Sequence, residues 1–129
     1  MAKGYWIARV DVADAEVYKA YVAANAAPLA RFGGRFLVRA GRFENPEGAS
    51  RSRNVVVEFP SYQAALDCYR SADYQAAVQL RLPVSSVDMV VIEGYDGPQP
   101  GDRGRRWHRA AARDRRRRGA ALRRRRCRR

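Results

Sequence analysis

The stretch Gly4–Val12 limits what this chain can fold into more than any other. It reads Gly-Tyr-Trp-Ile-Ala-Arg-Val-Asp-Val and alternates with the period of two that a strand imposes on its side chains. Trp6, Ala8, Val10 and Val12 fall on one face, which is apolar throughout and has to be buried. Tyr5, Ile7, Arg9 and Asp11 fall on the other, where apolar residues are interleaved with charges. Such a strand requires a core on one side and a second, more polar partner on the other.

The rest of the chain supplies elements to pack around it. Asp14 is placed to cap a helix with Glu16 in its first turn. Tyr18, Tyr21, Val22, Leu29 and Phe32 then recur at helical spacing as far as Gly33-Gly34. Pro28 should kink or divide that helix, because its ring removes a hydrogen bond and crowds the preceding turn. A second strand is expected over residues 35–40, with Phe36, Val38 and Ala40 on one face and Arg35, Leu37 and Arg39 on the other. Residues 41–53 read as a long polar hairpin connection, and residues 54–59 as the third strand. Ser61 can cap a second helix bearing Tyr62, Ala65, Leu66 and Tyr69, and a further helical piece over residues 73–82 stops at Pro83. The last strand is expected over residues 88–94, with Val90 and Ile92 opposite Met89, Val91 and Glu93.

Strand, helix, strand, strand, helix, strand is the order of an α+β ferredoxin-like βαββαβ plait, a four-stranded antiparallel sheet with its helices on one face. Right-handed crossovers put the first and third strands in the centre, with the fourth beside the first and the second beside the third. The turn-forming run from Gly94 to Pro100 closes this domain, giving a folded unit over residues 1–100 and a tail over 101–129.

The net charge of +13 suggests a nucleic-acid partner until it is divided along the chain. Residues 1–100 carry eleven basic and eleven acidic side chains, whereas residues 101–129 carry fifteen Arg and two Asp. The basicity belongs to the tail. Its runs Arg115–Arg118 and Arg123–Arg126 lack apolar periodicity and read as a disordered segment. Such a segment would bind nucleic acid through its phosphates, without sequence specificity. The same Arg-, Ala- and Gly-rich string also arises when GC-rich DNA is read out of frame, in which case the tail has no evolved role. There is no stretch of about 18 apolar residues and no signal-peptide pattern, so no membrane span and a cytoplasmic protein are expected. Cys68 and Cys127 form neither a CxxC motif nor a disulfide framework.

Gly4-Tyr5-Trp6-Ile7, Tyr18–Tyr21, the run from Gly33 to Arg39, the run from Arg53 to Phe59, Ser71–Ala76 and Glu93-Gly94-Tyr95 together carry a resemblance. Over residues 3–100 the chain resembles the domain-of-unknown-function 1330 family, within the dimeric α/β-barrel superfamily. The resemblance implies a fold and a dimer, with no established chemistry. Superfamily relatives include small monooxygenases, isomerases and haem-dependent enzymes, whose sites lie between sheet and helices.

The functional expectations follow from both readings. The mixed sheet face should pair with a second copy to make a homodimer. Within it, Arg9 is expected between Glu58 and Glu93 on the neighbouring strands, with Arg39 across from Glu58, because buried charges need partners. These four residues and Arg81 are the candidates for binding a small polar or anionic ligand. Residues 1–100 contain no His, which argues against a haem imidazole or a His-based metal site, and no Gly-rich phosphate loop follows a strand. No cofactor and no metal are expected. Asp11, Tyr18 and Tyr21 are the candidates for catalysis, since a carboxylate with Tyr and Arg could act on a bound carbonyl compound without a cofactor. The competing reading makes the tyrosines core residues with satisfied hydroxyls. The leading function is thus small-molecule binding, with cofactor-independent catalysis left open, and the alternative is nucleic-acid association through the tail.

Overall fold

A computed structural model describes residues 2–102 of the chain. Four strands, β1 (Gly4–Val12), β2 (Arg35–Arg39), β3 (Arg53–Phe59) and β4 (Ser85–Glu93), form one antiparallel sheet in the order β2-β3-β1-β4. This is the expected plait, with β1 and β3 central. The first crossover contains α1 (Ala15–Ala24) and α2 (Ala26–Arg31). The second contains α3 (Tyr62–Arg70), α4 (Ala72–Arg81) and a 3₁₀ turn (Leu82–Val84).

Local chemistry explains the boundaries. Asp14 caps α1 by accepting a hydrogen bond from Val17 N at 3.1 Å, and Ser61 caps α3 by accepting from Ala64 N at 3.0 Å. The first helix is divided rather than kinked. The break falls at Asn25, which leaves Pro28 in the first turn of α2, where a missing N–H is tolerated. Gly33, at φ 76°, closes α2 in the left-handed region that suits glycine. Gly4 has a different reason: a Cβ there would collide with the Ser61 backbone as α3 begins.

The core sits between sheet and helices. Trp6 is its centre, with ring centroids of Phe59 at 4.9 Å and Tyr74 at 4.7 Å, and its Nε1–H donates to Ala65 O at 2.9 Å. Cys68 is fully buried in α3, and burial pushes its thiol up to about 12, so it is a packing residue rather than a nucleophile.

Two face assignments differ from expectation. In β4, Val87, Met89 and Val91 pack against the core, whereas Val90 and Ile92 are 54% and 48% exposed. The pairing register is the reason. Trp6 stands opposite Val91, Ala8 opposite Met89 and Val10 opposite Val87, and residues directly opposite each other share a face. In β2 the register shifts between Phe36 and Val38. Phe36 pairs with Val57 on the core side, but Val38 pairs with Val56 on the open side and Arg39 with Val55 on the core side. A bulge at Leu37 therefore reverses every residue after it.

The chain divides between Gly94 and Tyr95 into two units. Within the described part of the second, Tyr95 Oη donates to Pro98 O and Gln99 N to Asp102 Oδ2, both at 2.7 Å. Residues 103–129, and with them nearly all of the Arg-rich tail and its expected nucleic-acid contacts, lie outside the described residues. Among the described residues no helix is long and apolar enough to cross a membrane.

Candidate ligand cavity between sheet and helices

A cavity opens where α1, α2 and α4 cross the helix-side face of the sheet. Its volume is about 40 Å³, or about 540 Å³ when all the space between the lining atoms and the open solvent at its mouth are counted. Ala8 lies on its floor; although flanked by buried Trp6 and Val10 on a central strand, it is only half-buried because space lies above it. Trp6, Phe36, Leu29, Val55 and Met89 give the wall its apolar part.

The polar part is unusual. Arg39, Arg53 and Arg81 all line the cavity, together with Tyr18, Tyr21, Tyr74 and Asn25, and no Asp, Glu or His is among the lining residues. Arg39 is exposed at the rim, with its guanidinium 4.1 Å from the Phe36 ring centroid. Arg53 is half-buried, 5.6 Å from the Tyr18 ring. Arg81 is 7% exposed and lies 5.3 Å from the Tyr21 ring. These are cation–π distances. None of the three arginines has a carboxylate partner among the described residues. Arg53 Nε is shut off from solvent without any acceptor there.

The tyrosines are donors. Tyr21 and Tyr74 hydroxyls are 2.7 Å apart, and whichever accepts keeps its own proton to offer elsewhere. Burial pushes the Tyr18 and Tyr74 phenols up, so both stay protonated at neutral pH. Such a site can bind and polarise an electron-rich group, but it presents no resident base.

The sequence candidates separate into two groups. Tyr18, Tyr21, Arg39 and Arg81 come together at the cavity. Arg9, Glu58, Glu93 and Asp11 do not line it, and the expected ladder of charges is not formed. Arg9 stands opposite Asn54 and Asp88, Glu58 opposite Tyr5 and Arg35, Glu93 opposite Gly4, and Arg39 opposite Val55. Glu58 instead accepts from Lys3 Nζ at 3.1 Å and Tyr5 Oη at 3.2 Å; the Lys3 bond is foremost in holding its carboxyl below the usual range. Asp11 anchors the return of the β2–β3 hairpin, accepting from Ser52 N at 2.9 Å, Ser52 Oγ at 3.1 Å and Arg51 at 3.1 Å. Arg51 also reaches Asp88 at 2.8 Å and so ties the hairpin to β4.

Three polar lining residues, Arg53, Tyr74 and Asn25, were not among the sequence candidates. Arg53 shares the parity of Val55, Val57 and Phe59, so starting β3 one residue earlier would have placed it on the core side. Tyr74 shares with Tyr21 a buried hydroxyl contact that no spacing rule announces. Asn25 is a polar residue within a run of alanines, and its only sequence signal is that interruption.

Fold and cavity together define an α+β protein of the ferredoxin-like plait class, with a cavity between its sheet and its helices. Residues 3–95 match the family model described as Domain of unknown function (DUF1330), and the chain belongs to that family. A protein of unknown function from Rhodopseudomonas palustris, RPA0582, is similar at 20% identity and a TM-score of 0.59, over 73% of this chain and 83% of that one. The methylated form of RPA0582 gives 21% and 0.61, over 78% and 84%. SnoaB, a cofactor-independent oxygenase from Streptomyces nogalater, is 14% identical with a TM-score of 0.52, over 78% of this chain and 99% of that one. At these identities the likeness is one of fold. No curated protein matches the chain.

Proposed function

We propose that this protein binds a small polar or carbonyl compound in the cavity between sheet and helices and acts on it without a cofactor, as a homodimer assembled through the open sheet face. The observation that carries the reading is the cavity: a half-enclosed apolar space into which tyrosine hydroxyls and guanidinium groups converge. SnoaB, with the same fold, is a cofactor-independent oxygenase, which agrees with chemistry carried by substrate and side chains alone. The dimer reading rests on the open face, where Val38, Val56, Ile7 and Val90 stand opposite one another in a row across all four strands. An uncovered apolar row of this kind favours association.

Thermal-shift screening against small ketones, keto acids, phenols and their neutral esters tests the cavity, run on the wild type and on Ala8→Leu, which fills its floor. At least one compound should raise the wild-type melting temperature and leave Ala8→Leu unchanged. If no compound does so, the reading fails. Sedimentation velocity at low micromolar concentration tests the assembly: the wild type should run as a dimer and Ile7→Glu as a monomer. A monomeric wild type removes the dimer from the reading.

A further inference from the structure

We propose, resting on the cavity reading above, that the ligand is a resonance-delocalised organic oxyanion (a phenolate, enolate or carboxylate) that is already ionised when it enters, with its oxygen held between Arg53 and Arg81.

The first argument is charge. Three guanidinium groups converge on one cavity whose lining contains no carboxylate to balance them. Arginine stays protonated in proteins, so the excess positive charge cannot be relieved by losing a proton. Like charges brought together in a half-dry space repel, and an anion is the group that reverses the sign of that energy. The second argument is arrangement. Arg39 is exposed, Arg53 half-buried and Arg81 buried, so positive charge continues from the mouth to the interior. Arg53 lies 5.6 Å from the Tyr18 ring and Arg81 5.3 Å from the Tyr21 ring, and these two rings are themselves 5.3 Å apart, so the two inner guanidinium groups stand against neighbouring rings of one wall. The buried Arg53 Nε, with no acceptor among the described residues, is a donor left over at that place.

The third argument is the absence of a proton acceptor from the lining. With no Asp, Glu or His there, and with Tyr18 and Tyr74 held in their protonated forms, the wall donates protons and takes none. A ligand that becomes an anion must therefore give its proton to solvent or buffer before it is enclosed. This narrows the class to compounds acidic enough to ionise in water near neutral pH. The apolar part of the wall, with Trp6, Phe36 and Leu29, suits a ring or short chain behind the charged oxygen.

The probes are 4-nitrophenol and benzoate, each paired with a neutral counterpart, 4-nitroanisole and methyl benzoate. Binding is measured by titration calorimetry on the full chain, and 4-nitrophenol ionisation is followed by its absorbance. The anions should bind at least about tenfold more tightly than their counterparts, the worth of one charge-assisted hydrogen bond. Protein at saturation should lower the pH at which 4-nitrophenol ionises by about one unit or more, as a nearby opposite charge does. Both effects should shrink in Arg53→Met and Arg81→Met, and remain in Arg70→Met, an exposed residue on α3. Should Arg81→Met fail to fold, Arg39→Met at the exposed rim is expected to weaken anion binding while melting like the wild type. Equal binding of the neutral counterparts, an unchanged or raised ionisation pH, or no binding of either anion each overturns the inference. Neutral ligands that bind and are blocked by Ala8→Leu would leave the cavity reading standing while this one falls.

Discussion

The two faces of the sheet treat charge in opposite ways. On the open face, Glu58 is tied to Lys3 and Tyr5, and Asp11 and Asp88 are bridged by Arg51. Between them runs the apolar row of Val38, Val56, Ile7 and Val90, with Arg9 beside it opposite Asn54 and Asp88. On the helix-covered face three arginines stand without carboxylates around a cavity. On the proposed dimer reading, the open face keeps its Asp11, Glu58 and Asp88 carboxylates paired, so that association does not strand them. On the proposed reading, the cavity leaves its charges uncompensated and the ligand supplies the balance.

The largest effect that sharpens this comparison comes from neighbouring residues on opposite faces of β1. Trp6→Ala should cost about 3–5 kcal/mol in chemical denaturation, because it removes the centre of the core and its hydrogen bond to Ala65. Ile7→Ala, at 41% exposure, should cost well under half as much per folded protomer and act chiefly on association. Equal costs would mean that the open face is not separable from the core.

A smaller effect is expected at the cavity. Tyr74→Phe leaves the Tyr21 hydroxyl without its partner and should destabilise the protein by about 1–2 kcal/mol in the same measurement. Loss of ligand response in this variant, with little change in melting temperature, would instead give the pair a purely binding role.

The smallest effect belongs to the hairpin anchor on the open face. The Ser52 backbone N–H, with the Ser52 hydroxyl and Arg51, holds the Asp11 carboxyl below its usual range. The folded value therefore lies below the unfolded one. The stabilisation is complete above the unfolded value, about 4, and is lost as pH falls through the folded value. Asp11→Asn should melt slightly below the wild type at pH 7, and the difference should close on acidification below about pH 4. A difference that stays constant over that range would show that the charge of Asp11 is irrelevant to the anchor.

Much of the fold is legible in the sequence, and the reasons are local. Asp14 and Ser61 announce their helices because capping is chemistry within one turn. The alternation in β1 announces a central strand because nothing interrupts it. The faces of β2 and β4 were harder to read, and for different reasons. A run such as Asp88 to Glu93 is apolar at both parities, so only its pairing with Trp6, Ala8 and Val10 decides which side is buried. In β2 the alternation itself is broken by the bulge, which no residue type advertises. The candidate site suffered accordingly. Arg39 was placed on the wrong face, Arg53 lay one residue outside the expected strand, and Arg9, Asp11 and Glu58 proved to belong to the open face.

The bulge at Leu37 has a consequence for how such a protein can change. Were Leu37 paired with Val56 in an unbroken ladder, Val38 would pair with Val55 and turn inward, and Arg39 would pair with Asn54 and point away from the cavity. β2 is an edge strand, where a change in length disturbs one neighbour only. Deleting Leu37 would remove the bulge and still leave Val38 opposite Val56 and Arg39 opposite Val55, so Arg39 would keep its cavity side while β1, β3 and β4 kept their register. In this architecture the charge at the cavity entrance depends on whether Leu37 is bulged out or paired, with no residue exchanged.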